Sequence, residues 1–252
     1  MSEWSRYRAA SYHLVLSIAV FLLPAGLILF VWYPDFFFAI DGGWQGTRIL
    51  LAAHLVAGPA LTLAVYQAGK KGLLLDLVCI STFQLTCLAA GLYVIYKERP
   101  LYFVYYDRSF YSVNASTFSR FESEAPRASQ LGGRAPLFVD VSIPDNPLDE
   151  AALRESLYQD EIPLWAHGPG YRPLEENIGQ IVGEGYEFAF FEGVSESRAL
   201  KVWLALRGGR ANEFAVYPVI ARYGSPLLAI RKHDQEIMGI FNPAPMRPEP
   251  TF

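Results

Sequence analysis

Three stretches of about twenty residues, all within the first hundred positions, hold almost no charge. Leu14 to Pro34 contains no charged side chain, Ile49 to Gly69 contains only the ionisable His54, and Leu77 to Tyr96 again contains none. A helix rises about 1.5 Å per residue, so each stretch would extend about 30 Å, the thickness of a bilayer's hydrocarbon core. A helix also satisfies its backbone hydrogen bonds within one segment, as that medium demands. The pattern predicts three transmembrane helices, at about 14–34, 49–69 and 74–96, after a short cytoplasmic tail of residues 1–13.

The composition agrees, being 52% hydrophobic and 15% aromatic, more apolar than a water-soluble domain of this size. Arg6 and Arg8 precede the first stretch as they would in a secretory signal. The stretch is longer than a signal core and no small-x-small cleavage pattern follows it, so it reads as a retained helix. Nor does the N-terminus show the short leader and early helical glutamate of a pilin precursor.

Beyond Tyr96 the character changes. Residues 97–252 carry 16 Lys and Arg against 21 Asp and Glu, with most of the Pro and Gly. That length suits one compact domain with its own core, and its acidic balance argues against nucleic acid as a partner. Both cysteines, Cys79 and Cys87, fall in the third apolar stretch, so the domain can hold neither an internal disulfide nor a cysteine metal site.

Basic residues are evenly divided between the two sides: Arg6, Arg8, Lys70 and Lys71 on one, Arg48, Lys97, Arg99 and Arg108 on the other. The first helix usually sets topology, and a long domain can cross despite its charges. The N-terminus is therefore expected in the cytoplasm and the C-terminal domain outside the inner membrane. Asp76, in the first turn of the third helix and near Lys70 and Lys71, reads as an anchor favoured by the helix dipole.

The second helix carries Ala53, Ala57, Ala60 and Ala64 at spacings of four, three and four. Small residues so spaced let another membrane helix approach closely. Gly58 and Pro59 lie in the same helix and predict a kink, because proline removes a backbone hydrogen bond and clashes with the preceding turn. The freed carbonyl is expected to be covered by a neighbouring helix or by Thr62. His54 reads as a maker of an interhelical hydrogen bond, with ligand or proton relay as the alternative. Between helices 1 and 2, "DGGWQG" (Asp41, Gly42, Gly43, Trp44, Gln45, Gly46) reads as an interfacial hairpin: glycine accepts the turn geometry, and Trp44 suits the headgroup layer with Trp32, Tyr33 and Phe36 to Phe38.

"IDGGWQGTR", "GPALTLAVY", "GKKGLLLDL", Gln84 and "KERP", in this order, resemble the type IV pilin accessory proteins of the TfpX/TfpZ kind. The resemblance spans roughly residues 30–112, through "RPLYFVYYDRSFYSV"; in the C-terminal part it is confined to "GYRPL" and "YPVIARYGSPLLAI". It implies a bacterial inner-membrane protein with three N-terminal helices and an external domain, acting as an accessory in type IV pilus production rather than as motor or peptidase. One departure is His54, where the resemblance implies an Asp.

In the external part, "PLYFVYYDRSFYSVN" predicts a hairpin turning at Asp107, Arg108 and Ser109. "NASTFSRFESEA" predicts a short helix capped by Asn114 or Ser116, and "LFVDVSI" a strand. Asn146 and Pro147 predict the start of a helix; further helices are expected at Pro173 to Val182 and Glu196 to Arg207, and a final hairpin around "HDQ". The class is mixed α/β. No motif for hydrolysis or phosphate binding is present. "IPLWAHGPGYRPL" could form a pocket from Trp165, His167 and Tyr171, though such a loop is more often plain surface. His13 and His54 are too few and too poorly placed for a haem pair.

No catalytic, cofactor-binding or metal-binding residue is assigned. The leading reading is a non-enzymatic factor that binds pilin, and other pilus assembly components, through the Ala53 to Ala64 seam and the external domain, with membrane lipid around its helices. The alternative is a membrane-bound enzyme that modifies pilin, for example by glycan transfer, with Asp35 and Asp41 the acidic residues of the first external loop. A third reading, a small transporter or channel, suffers from having only three helices and few intramembrane polar groups.

Overall fold

A computed structural model describes residues 5–126 and 128–242. The chain divides into two compact units, Met1–Arg99 and Pro100–Phe252.

The first unit is helical. Its three long helices, α1 (Arg6–Trp32), α3 (Gly43–Val65) and α4 (Leu73–Lys97), are each long and apolar enough to cross a membrane. A single-turn helix, α2 (Phe37–Ile40), lies between α1 and α3. Ser5 caps α1, accepting a hydrogen bond from the Arg8 amide. Lys70 pairs with Asp76 at 2.6 Å in the first turn of α4, as expected of an anchor, although the pair is too exposed to add much stability.

α3 begins six residues earlier than the charge pattern suggests, and this corrects the hairpin reading. Gly42 takes a φ of +94°, which makes the turn, but Gly43, Trp44, Gln45 and Gly46 form the first turn of the helix. The glycines there permit close packing: a Cβ on Gly43 would come within 2.6 Å of the Phe38 ring, and one on Gly46 within 2.8 Å of Ile95. Contact with α2 and α4 thus outweighs the low helix propensity of glycine. Tyr33 adds a bond from its hydroxyl to the Ile95 carbonyl, at 2.9 Å. In the middle of α3, residues Ala52–Ala57 follow an i to i+5 register, which is how the helix accommodates Pro59.

The second unit is a seven-stranded mixed sheet in the order β4-β3-β1-β2-β5-β6-β7. β1 (Pro100–Tyr106) and β2 (Ser109–Asn114) form the expected central hairpin, with Asp107 and Arg108 both at positive φ in its turn. β3 (Leu137–Val141) runs parallel to β1, and β5 (Phe214–Ile220) parallel to β2. Outside them lie β4 (Tyr171–Pro173) on one flank and β6 (Leu227–Arg231) and β7 (Ile237–Phe241) on the other, each antiparallel to its neighbour.

Helices α5 (Ala115–Arg120), α6 (Pro147–Gln159), α7 (Ile178–Glu184) and α8 (Arg198–Arg207) complete the unit. Asn114 closes a capping box on α5 and Asn146 caps α6 ahead of Pro147. The stretch expected as one helix from Pro173 breaks in two: a turn at Leu174–Glu176, then α7. One core joins Tyr102, Val104, Val113, Phe118, Val139 and Leu157; another joins Phe188, Leu200, Phe214, Val216, Ala229 and Phe241. Stacked and edge-on rings link the strands, among them Phe103 on Phe110 at 5.1 Å and Phe110 on Tyr217 at 5.4 Å.

Candidate functional site

The most unusual chemistry of the helical unit lies inside it. Ser17, His54, Thr62 and Gln84 are all buried, none more than 5% exposed, and half-buried His13 joins them. The five come from all three long helices: His13 and Ser17 from α1, His54 and Thr62 from α3, Gln84 from α4.

Their hydrogen bonds can be assigned from one fixed point. The backbone carbonyl of His54 can only accept, so the Gln84 atom 2.5 Å from it is the amide nitrogen. The same nitrogen donates to Ser17 Oγ at 3.2 Å. Gln84 Oε1 then faces His13 Nε2 at 2.7 Å, and being a carbonyl it must receive that ring's proton. His13 Nδ1 faces the Thr62 hydroxyl, which can donate or accept, at 2.5 Å. His13, with a proton on Nε2 toward Gln84, thereby joins one chain of hydrogen bonds through three helices.

The carbonyl at the centre is free for a reason visible in the sequence. In the i to i+5 register, the donor for His54 would be the nitrogen of Pro59, which carries no hydrogen. Gln84 takes its place. The expectation that a neighbouring helix covers the carbonyl freed by Pro59 describes this bond, with Gln84 rather than Thr62 as the donor. Gly58 admits it: a Cβ there would lie 2.1 Å from Gln84 Nε2. His54 makes its interhelical bond through the backbone. Its ring nitrogens are buried without a hydrogen-bond partner at bonding geometry, and its ring packs on Phe21 with centroids 6.3 Å apart.

The alanine seam lies elsewhere. His54, Gly58 and Thr62, spaced by four, form the face of α3 turned into the unit, whereas Ala53, Ala60 and Ala64 are exposed and Ala57 is half-buried. The small residues therefore do not hold the three helices together; on this unit they look outward. Pro59 is half-buried beside them.

At the Gly42 turn, Asp41 is 5% exposed and Trp44 51%. Gln45 Oε1 and Thr47 Oγ1 are buried without a hydrogen-bond partner. Trp44 meets the Phe38 ring edge-on at 6.4 Å.

In the sheet unit the Trp165 to Tyr171 segment is engaged in packing. Trp165 stacks on Tyr111 at 5.0 Å with 4° between the rings, and Tyr171 donates to the Trp165 carbonyl at 2.6 Å while packing on Tyr102. Burial raises the Tyr171 hydroxyl above its ordinary range and lowers the half-buried His167 imidazole below its own. Beside them Asp140, almost fully buried, accepts two bonds from Arg172 at 2.7 and 2.9 Å and one from Asn177 at 3.0 Å. This knot pins β3 to β4 and to the start of α7.

Three membrane-length helices with a polar interior, followed by a mixed α/β unit, define a class of membrane protein with a folded domain after its last span. A sequence profile described as fimbrial assembly protein FimB matches residues 2–42. The fimbrial assembly protein of serogroups C1 and C2 from Dichelobacter nodosus is 35% identical over 95 residues, which cover 37% of this chain and 72% of that relative. The chain therefore belongs to the fimbrial assembly protein family. The serogroup I and serogroup E1 proteins of the same organism are also 35% identical over 95 residues, and there the match spans 37% of this chain and only 37% of each relative's length. No solved structure matches the chain.

Proposed function

We propose that this protein is an inner-membrane accessory of type IV pilus assembly that acts by binding pilin within the bilayer and catalyses no reaction. The family supports the pilus role. The observation that carries the mode of action is the outward face of α3: the polar seam of that helix is engaged by α1 and α4, while Ala53, Ala60 and Ala64 remain uncovered. A face of small side chains suits close packing against an apolar helix from another chain, because in lipid such packing is a main source of association energy. Pilin is the partner assigned to that face, with other assembly components as further contacts. The N-terminus is assigned to the cytoplasm and the sheet unit to the periplasm, since the first helix is preceded by Arg6 and Arg8.

Replacing Ala57 and Ala60 together by Leu tests the reading. Ala60 is exposed on the outward side and Ala57 is half-buried at its edge, and neither belongs to the polar chain. Surface pili, counted by electron microscopy in cells lacking the wild-type protein, are expected to fall at least about tenfold, as a loss of about 1.4 kcal/mol in pairing would give. The variant should accumulate to the wild-type level. Normal piliation at that level would remove α3 as the pilin contact.

A further inference from the structure

The sheet unit carries a helix whose outer face has no partner among the described residues. Along α8, Leu200 is buried in the core and Trp203 and Leu204 pack beside it. Trp203 also donates to the Ile240 carbonyl at 3.1 Å, fastening the helix to β7. The opposite face holds Ala199, Val202 and Leu206 at helical spacing, with Val202 51% and Leu206 79% exposed. They line an open groove of about 520 Å³ with Arg198, Trp203 and Phe241. An amphipathic helix normally turns its apolar stripe to the core; this one has a second stripe facing outward.

Charge says what would cover it. Along α8 the charged residues, Arg198, Lys201 and Arg207, are all basic, between Glu196 before the helix and Glu213 after it, whereas residues 97–252 as a whole carry 16 basic against 21 acidic side chains. Arg198 and Lys201 are exposed along one border of the apolar stripe. Cations flanking an exposed apolar stripe are the composition of helices that lie in the headgroup layer of anionic membranes. The covalent connection favours the same partner. α4 ends at Lys97 and β1 begins at Pro100, so two residues join a membrane-length helix to a domain whose radius of gyration would be about 15 Å. A bilayer surface is then present at high effective concentration.

We infer that the outer face of α8 docks on anionic phospholipid, with Val202 and Leu206 entering the headgroup boundary and Arg198 and Lys201 meeting phosphate. The contact is independent of the role in pilus assembly.

The test uses the full chain in lipid nanodiscs, with Cys79 and Cys87 replaced by Ala and a fluorophore on Leu206→Cys or, as a control, on Leu148→Cys, which is 79% exposed on α6. Spin-labelled lipid is the quencher. In discs containing phosphatidylglycerol, quenching at position 206 is expected to exceed that at 148. It should fall to the level seen in phosphatidylcholine discs on adding 0.5 M salt, or about that, which shortens electrostatic reach to a few ångströms, and also with Arg198→Glu and Lys201→Glu. Position 206 no more quenched than 148 would overturn the inference. So would quenching indifferent to lipid charge and salt, or protection of the 206 label by purified pilin in neutral discs, which would give the face to a protein.

Discussion

Gly58→Leu is expected to destabilise the helical unit by about 3–4 kcal/mol, combining about 1–3 for overpacking with roughly 0.6 for each interhelical bond lost. A side chain at this position would begin 2.1 Å from Gln84 Nε2 and 2.3 Å from its Cδ and Oε1. Glutamine is ordinarily flexible, but this amide is fixed on both sides, by His13 at one end and by Ser17 and the His54 carbonyl at the other. Moving it leaves a carbonyl and an imidazole N–H without partners inside a bilayer, where no water can replace them. Unfolding of the full chain in mixed micelles by increasing detergent denaturant would read the loss. Ala60→Leu, two residues on and on the outward face, is expected to change stability by less than about 0.5 kcal/mol. Equal effects of the two would contradict the assignment of inner and outer faces.

Asp140→Ala is expected to cost the sheet unit about 2–3 kcal/mol. Breaking a buried ion pair typically costs 3–5 kcal/mol; the lower figure applies because the Arg172 side chain is 38% exposed and regains some hydration. Three hydrogen bonds end on this one carboxylate, so the change frees β4 from β3 and leaves the Arg172 guanidinium and Asn177 amide unmatched. Asp140→Asn, which keeps the shape and one acceptor, should fall between. Thermal unfolding monitored by circular dichroism in detergent, with limited proteolysis between Val141 and Arg172 as a local readout, distinguishes the three proteins. A wild-type melting profile for Asp140→Ala would show that the knot adds no stability.

The broad architecture was legible because it rests on local signals. Charge-free stretches of bilayer length marked the helices, and Asp107-Arg108, Asn114, Asn146-Pro147 and "HDQ" marked turns and caps through the chemistry of their own side chains. Elements whose form depends on contact were harder to read. The glycines of "DGGWQG" argue locally for a turn, and only the approach of Ile95 and Phe38 explains why two of them sit in a helix. The stretch from Pro173 to Val182 likewise divides where Asn177 turns to bond Asp140, thirty-seven residues away.

The polar chain shows the same limit more sharply. His13, Ser17, Thr62 and Gln84 are single polar residues in long apolar stretches, each unremarkable alone, and they meet across separations of up to 71 residues. Pro59 did signal a carbonyl in need of a donor. Nothing local named Gln84 as that donor, because the i to i+5 register moves the free carbonyl from Leu55 to His54. The alanine spacing was equally real in the sequence, but spacing alone does not say which side of a helix faces inward; the polar residues of α3 decide that.

The central claim is that α3 offers its small-residue face to pilin. A photo-reactive amino acid at Ala60, compared with one at Leu88 on α4, which is buried in the unit, tests it in intact membranes. Illumination followed by blotting for the major pilin should give an adduct of the combined mass from position 60 and none from position 88. No pilin adduct from position 60, with the protein present at its normal level, would contradict the account.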